Sequence, residues 1–309
     1  MATLFVTHRA CIDHDPGPGH PEQPDRLRVI QRVLEAEEFM FLHREEAAQG
    51  DIELIKRVHD PAYVDAVFAR IPQSGAVSLD GDTYISAASG EAALRAVGGA
   101  CVGVDAVMEG HERNAFVGVR PPGHHAEYDR AMGFCLFNNA AIAARYAREK
   151  YGIKRVAVMD FDVHHGNGTQ DLFYHDPDLF YCSTHQWPLY PGTGDPADRG
   201  CANNILNVAL PAGAQTAELH AAFNDYVVPG LTGFKPELLI VSAGFDAHRN
   251  DPLAGLCLVE SDFSWITEQL LAVAEQCCDN RLVSILEGGY DLPSLASSVV
   301  AHVRALMMG

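Results

Sequence analysis

The stretch Val156–Gln170, VAVMDFDVHHGNGTQ, constrains the fold more than any other part of the chain. Val156–Met159 is an uninterrupted apolar run, which suits a strand covered on both faces of a parallel sheet. The run breaks into Asp160, Asp162, His164 and His165, then into the turn-forming Gly166-Asn167-Gly168. Side chains alternate across a strand, so Asp160, Asp162 and His164 project to one side. Two carboxylates and an imidazole where an apolar strand gives way to a loop make a candidate metal site.

The same grammar recurs along the chain. Residues 3–7 read as a first strand, and a Gly/Pro-rich loop (14–27) leads into a helix expected over 24–38. Arg26 at the start of that helix can face either way on sequence alone. Residues 75–84 read as loop, and a helix of small residues is expected over 87–109. Strands are then expected at 115–119, 155–161, 179–184, 205–210, 237–244 and 281–286. Helices near 138–150, 170–174, 217–228 and 262–278, and one after Tyr290, alternate with them. This alternation predicts an α/β fold with a parallel sheet and helices on both faces. Ligands bind such sheets outside the carboxyl ends of the strands. His124-His125, the Asp160/Asp162/His164 set, His185, Asp246 and Tyr290 all fall just after predicted strands, so one shared site is expected.

At 309 residues and 48% hydrophobic composition the chain can bury a large core. It shows no linker, repeat or low-complexity segment, so residues 1–309 are expected to form one domain. The N-terminus meets Arg9 after a short apolar run, unlike a signal peptide, and no apolar segment approaches the roughly 20 residues of a membrane span. A soluble, cytoplasmic protein is the expectation. The eight cysteines form no Cys-x-x-Cys pair and read as reduced thiols, mostly core-packing. A net charge of −19, from 41 acidic against 22 basic residues, argues against nucleic-acid binding, which needs a basic face. It favours cationic substrates, although a solvated acidic surface accounts for most of these charges.

Asp162 and His164 supply two ligands, and Asp246 in SAGFDAHRNDPLAG is the best third. Such a set leaves a position open for water and substrate, as a catalytic Lewis acid requires. Asp160 would orient an imidazole or a ligand, or simply cap a strand end. The tandem His124-His125 could be ligands or provide a general base. Tyr290 follows Gly288-Gly289, where missing side chains allow close approach. Its hydroxyl could serve a developing oxyanion, though a tyrosine taken alone is more often a packed aromatic.

RPPGHHA (120–126), GFCLFNNAAIAA (133–144), DFDVHHGNGTQD (160–171), YPGTGD (190–195), SAGFDAHRNDPLAG (242–255) and LEGGY (286–290), in this order, resemble the zinc-dependent histone deacetylase family. That family includes bacterial deacetylase-like amidohydrolases and acetylpolyamine amidohydrolases. Asn167 in HHGNGT is similar to the class II branch. The resemblance implies the arginase/deacetylase fold, a parallel sheet of about eight strands, and hydrolysis of an acylated amine such as acetyl-lysine. By position it implies that Asp162, His164 and Asp246 hold zinc, with iron(II) as the other candidate. His125 would be general base and then acid, with His124 an electrostatic partner oriented by Asp160 and with Asn167 beside His125. Tyr290 would polarise the substrate carbonyl. Gly133, Phe134 and Tyr190 would wall an acyl-lysine tunnel, with Cys135 behind it. Asp160 and Ser183 would help hold a structural potassium ion, and Arg26 would lie near an internal channel.

Three other readings compete. In a polyamine deacetylase of the class II branch, a glutamate stands at the tunnel mouth seven residues past the last metal aspartate, where this chain has Leu253. A binuclear ureohydrolase would need more Asp and His ligands where His165 and Asn167 stand. A silent acyl-lysine-binding module would have lost catalytic groups that this chain retains. Oligomeric state is not readable from the sequence.

Overall fold

The computed structural model describes residues 2–309. Strands, in chain order, are β1 (Thr3–Thr7), β2 (His43–Glu46), β3 (Ala76–Ser78), β4 (Tyr84–Ser86), β5 (Asn114–Val117), β6 (Val156–Asp160), β7 (Leu179–Gln186), β8 (Ile205–Leu210), β9 (Leu238–Ala243) and β10 (Leu282–Leu286). Eight of them form one sheet in the order β2-β1-β5-β10-β9-β6-β7-β8, and β3 pairs with β4 in a separate hairpin. Every pairing in the large sheet is parallel. Helices are α1 (Ala10–Asp13), α2 (Asp25–Val33), α3 (Ile52–Lys56), α4 (Pro61–Ala69), α5 (Ser89–Met108), α6 (Asn139–Tyr151), α7 (Asn167–Phe173), α8 (Thr216–Ala222), α9 (Val228–Phe234), α10 (Glu260–Cys278) and α11 (Leu292–Met308). Among the described residues no helix is long and apolar enough to cross a membrane.

The strands show why apolar runs, rather than alternation, mark this sheet. Phe5, Phe116, Ala157, Met159, Leu239 and Val241 pack on one face, with residues of α2, α10 and α11. Their neighbours Leu4, Val6, Ala115, Val117, Val156, Val158 and Ile240 pack on the other, with α5 and α6. Both faces are dry, so both parities of the strand are apolar. The small residues of α5 permit a close approach: a Cβ on Gly98 would stand 2.0 Å from the Ala48 carbonyl oxygen. Asn138 caps α6 by accepting from the Ala141 N–H (2.9 Å), and Gly152 ends it at φ +67°.

Several expectations need correction. β2 reads HREE and is exposed throughout, so this edge strand carries no apolar signal. Residues 75–84 hold most of the β3–β4 hairpin instead of a plain loop. The helix expected over 24–38 ends at Val33, because Ala36 turns extended (ψ 151°) and sends Phe39 and Leu42 into the core. The helix expected over 217–228 runs from Thr216 to Phe234 through a wide turn at Phe223–Val227. Pro229 follows that turn; it lacks an N–H and would crowd a regular preceding turn. Arg26 faces inward and is fully buried.

β9 and β10 are late in sequence but insert between β5 and β6. That insertion gathers the loops after β5, β6, β9 and β10 at neighbouring strand ends, which is where a ligand site is expected.

Candidate active site

Asp162 and His164 leave the end of β6, and Asp246 leaves the end of β9. One ligand atom from each lies within 4.8 Å of the others', and all three residues are buried. His164 Nδ1 is 3.1 Å from Asp162 Oδ1 and 3.1 Å from Asp246 Oδ2. Backbone donors fix the remaining carboxylate oxygens: Gly288 N–H to Asp162 Oδ2 (2.8 Å) and Val163 N–H to Asp246 Oδ1 (2.9 Å). Burial and the neighbouring Asp162 push Asp246 up to about 7, which signals crowded negative charge. A Cβ on Gly288 would come within 2.1 Å of Asp246 Oδ2 and 2.6 Å of Asp162 Oδ2. Two carboxylates and an imidazole around one cradle, kept open by glycine, fit a divalent cation.

His124 and His125 sit on the loop after β5 with their rings 4.0 Å apart. His124 Nδ1 donates to Asp160 Oδ2 (2.9 Å), which also accepts from the Tyr181 hydroxyl (3.1 Å). Burial works against charge on His124, but Asp160 and Asp162 outweigh it and hold the imidazole well above the usual histidine range. His125 goes the opposite way. Burial, then the charges of His124 and His164, hold it well below that range. Its Nδ1 meets Asn167 Oδ1 at 2.8 Å, while Asn167 Nδ2 donates to Glu127 Oε1 (2.6 Å). A carboxylate only accepts, so Glu127 fixes the amide orientation, and Asn167 therefore offers its carbonyl to His125. The proton lies on Nδ1 and the Nε2 lone pair is left free.

A cavity of about 180 Å³ runs over these groups, lined by Asp82, His125, Gly133, Phe134, His164, Tyr190, Leu253 and Tyr290. Tyr290 N–H donates to Asp251 Oδ2 (2.7 Å), whereas its hydroxyl has no hydrogen-bond partner among the described residues. Burial holds that hydroxyl well above the ordinary phenol range, so it stays a donor. Phe134 crosses edge-on to Tyr290, with centroids 5.7 Å apart, and adopts φ +68°. For a phenylalanine this conformation is strained. The hairpin holds it there: Thr83 Oγ1 accepts from the Phe134 N–H (3.1 Å) and Asp82 Oδ1 from the Gly133 N–H (3.2 Å). Gly133 is at φ +55°, and a Cβ there would come within 2.3 Å of the His125 ring.

Not every expected residue reaches this cavity. His185 is turned away, with Nδ1 on Ser183 Oγ (2.9 Å) and Nε2 on the Gly194 carbonyl (3.0 Å). Ser183 is the register partner of Asp160, so these two share the β6–β7 seam. Cys135 is buried, with its thiol on the Gly133 carbonyl (3.3 Å), and all eight cysteines are free.

A family model described as the histone deacetylase domain matches residues 20–306. The chain belongs to the histone deacetylase family. It is 36% identical to a histone deacetylase-like amidohydrolase of Pseudomonas aeruginosa over 93% of this chain and 81% of that protein. It is 39% identical to the chloroplastic histone deacetylase 10 of Oryza sativa, over 93% of this chain and 70% of that one. The crystal structure of the HDA15 HD domain superposes with a TM-score of 0.93 at 34% identity, covering 99% of this chain and 88% of that one. The sheet is thus the arginase/deacetylase fold.

In this histone deacetylase family member sequence reasoning names Arg26 without its partners and misses Glu22, Glu127, Glu287 and Asp82. Glu287 Oε2 accepts from the Gly123 N–H (2.7 Å) and the His124 N–H (3.2 Å), and Oε1 from Ser242 Oγ (3.1 Å), so one carboxyl ties the turn after β10 to the loop after β5 and to the end of β9. Arg26 donates to the Gly289 carbonyl (2.6 Å) and the Glu287 carbonyl (2.5 Å), and stacks 4.8 Å above the Tyr290 ring. Glu22 links it to Arg120, which opens the loop carrying His124-His125. The one available signal was a charged residue inside an apolar context, as in LEGGY. Glu127 and Asp82 lie in stretches that read only as polar loop.

Proposed function

We propose that the protein is a metal-dependent amidohydrolase, one catalytic domain, that removes an acyl group from a lysine side chain or a similar primary amine, acetyl foremost. One observation carries this reading: a buried Asp-His-Asp donor trio reaches, through His164, a narrow cavity that is also lined by His125 with its free lone pair and by Tyr290, whose hydroxyl has no partner among the described residues. The family and the names of its relatives support the reaction class.

Asp162, His164 and Asp246 would hold the cation, with zinc favoured and iron(II) the other ion that such donors accept. When bound, it lowers the pKa of water and polarises a carbonyl. The protein's own groups then do the following. Gly133, Phe134 and Tyr190 guide an aliphatic chain and exclude bulk water, so that the amide ends at the donor trio. His125 Nε2 takes the proton of the attacking water and returns it to the departing amine. His124, paired with Asp160, holds positive charge beside the reacting carbonyl. Tyr290 donates its hydroxyl to the carbonyl oxygen as negative charge develops there. A monovalent ion at the Asp160–Ser183 seam belongs to the same proposal as a structural element.

The second reading is an acetylpolyamine amidohydrolase. Leu253 lines the cavity where a carboxylate would serve a distal ammonium, and this favours the peptide substrate. Turnover of an acetyl-lysine peptide and of an acetylated diamine by the purified protein separates the two. If the cation-loaded protein hydrolyses neither, the reaction assignment fails.

A further inference from the structure

His124, Cys135 and Glu287 form a second convergence beside the donor trio already described. One ligand atom from each lies within 4.8 Å of the others', and their residues are 3%, 0% and 0% exposed. They come from three places in the chain: the loop after β5, the turn before α6 and the end of β10. Imidazole nitrogen, thiol sulfur and carboxylate oxygen together suit a borderline-soft cation such as Zn²⁺, and not Mg²⁺ or Ca²⁺.

Each group has capacity to spare. Asp160 occupies His124 Nδ1, and among the described residues Nε2 has no hydrogen-bond partner, so its proton is the one that a cation would displace. The Cys135 thiol donates to the Gly133 carbonyl (3.3 Å), so its sulfur lone pairs are uncommitted. Glu287 accepts from Gly123, His124 and Ser242, while a carboxylate offers about four lone-pair positions. Among the described residues Arg26 pairs with Glu22, and Arg120 with Glu22, whereas no ion pair reaches the Glu287 carboxyl. His124 is the positive neighbour of this deeply buried carboxyl, and a divalent cation would compensate its charge more fully.

We propose that His124, Cys135 and Glu287 constitute a second divalent-cation site, of the zinc type, whose occupancy inhibits the enzyme. Binding displaces the Cys135 thiol proton and the His124 Nε2 proton to solvent and forms a sulfur–metal and a nitrogen–metal bond. It also engages His124 Nε2, which lies 3.9 Å from Asp162 Oδ2, so the imidazole no longer serves the reacting carbonyl. The inhibition rests on the deacylase reading; the occupancy does not.

The test titrates protein holding one equivalent of cation with Zn²⁺ or Co²⁺, using Mg²⁺ as control. A second equivalent of Zn²⁺ or Co²⁺ binds, Co²⁺ gives a near-ultraviolet sulfur-to-cobalt charge-transfer band, and acyl-lysine turnover falls about tenfold or more. Cys135→Ala loses the band, the second equivalent and the inhibition, the last read as a ratio to the variant's own rate with one equivalent bound. Cys135→Ser keeps the volume and polarity of the site and also loses the band, which covers any packing defect of the alanine variant. A stoichiometry that stops at one, a second equivalent without the band, or inhibition that survives in both variants overturns the proposal. Should the protein hydrolyse no acyl-lysine, stoichiometry and the band still decide the site.

Discussion

His125 and Tyr290 show how one residue's surroundings set its chemistry. His125 is neutral because burial and two neighbouring imidazoles penalise its charge, and Asn167 offers a dipole where a carboxylate would favour the cation. The sign of the pH effect follows. A base whose pKa is lowered remains competent above that pKa and fails as pH falls through it. The acid limb of kcat/KM should therefore lie below the ordinary histidine value of 6.5. The double variant Asn167→Asp, Glu127→Gln supplies a carboxylate without placing two acids together, and should move that limb upward. A pH–rate profile of both proteins checks the direction. Tyr290→Phe removes a hydroxyl that bonds to no other group among the described residues. We expect kcat to drop by about 10²–10³ with KM little changed, as for loss of one oxyanion donor. Melting temperature should stay the same, and steady-state kinetics beside a thermal melt test both parts.

At the scale of elements, strand ends and glycines matter more than helix faces. β6 and β9 deliver the donor trio, and the turn after β10 closes over it through Gly288. Gly288→Ala introduces a Cβ that must displace Asp246 or Asp162, so cation affinity should fall by about 10–100-fold or more. Competition with a chelator of known affinity measures this. The β3–β4 hairpin is the element least visible in the sequence, because its strands are three residues each and half exposed. It nonetheless supports the tunnel wall through Asp82 and Thr83. At the mouth, Leu253→Glu places a carboxylate where a distal ammonium would stand. The expected outcome is a higher kcat/KM for an acetylated diamine relative to an acetyl-lysine peptide, and an unchanged ratio would remove Leu253 from the account of selectivity.

For the whole molecule, the buried network of Glu22, Arg26 and Arg120 joins the first loop to the loops carrying His124 and Tyr290. Burial opposes the charge of Glu22, but Arg120 and the hydrogen bonds from His14 and Arg120 hold its carboxyl well below the usual range. A lowered carboxylate stabilises the fold above its unfolded pKa, and that stability is lost as pH falls through the folded value. Glu22→Gln leaves two buried guanidinium groups undercompensated and should cost about 3–5 kcal/mol at neutral pH. The gap to the parent protein should narrow in strong acid, as denaturant melts across pH would reveal. Removing the cation with a chelator should abolish turnover and lower the melting temperature, since a ligand of the folded state stabilises it by mass action.

The sequence by itself determined the sheet's central strands and the chemistry at their ends. Runs such as Val156–Met159 are apolar in both parities only where both faces are buried, and the polar residues that follow can only lie at the strand end. The trio Asp162, His164 and Asp246 was legible for that reason. Tertiary structure alone decided the direction in which burial and neighbouring charges push those residues, and brought in Glu127, Glu287, Glu22 and Asp82. These acids act through partners such as Asn167, Gly123, Arg120 and Gly133, far away in sequence. Hydrogen bonds and burial depend on distances in space, so the direction in which His124 and His125 titrate, and the fate of Arg26, exist only once β9 and β10 insert between β5 and β6.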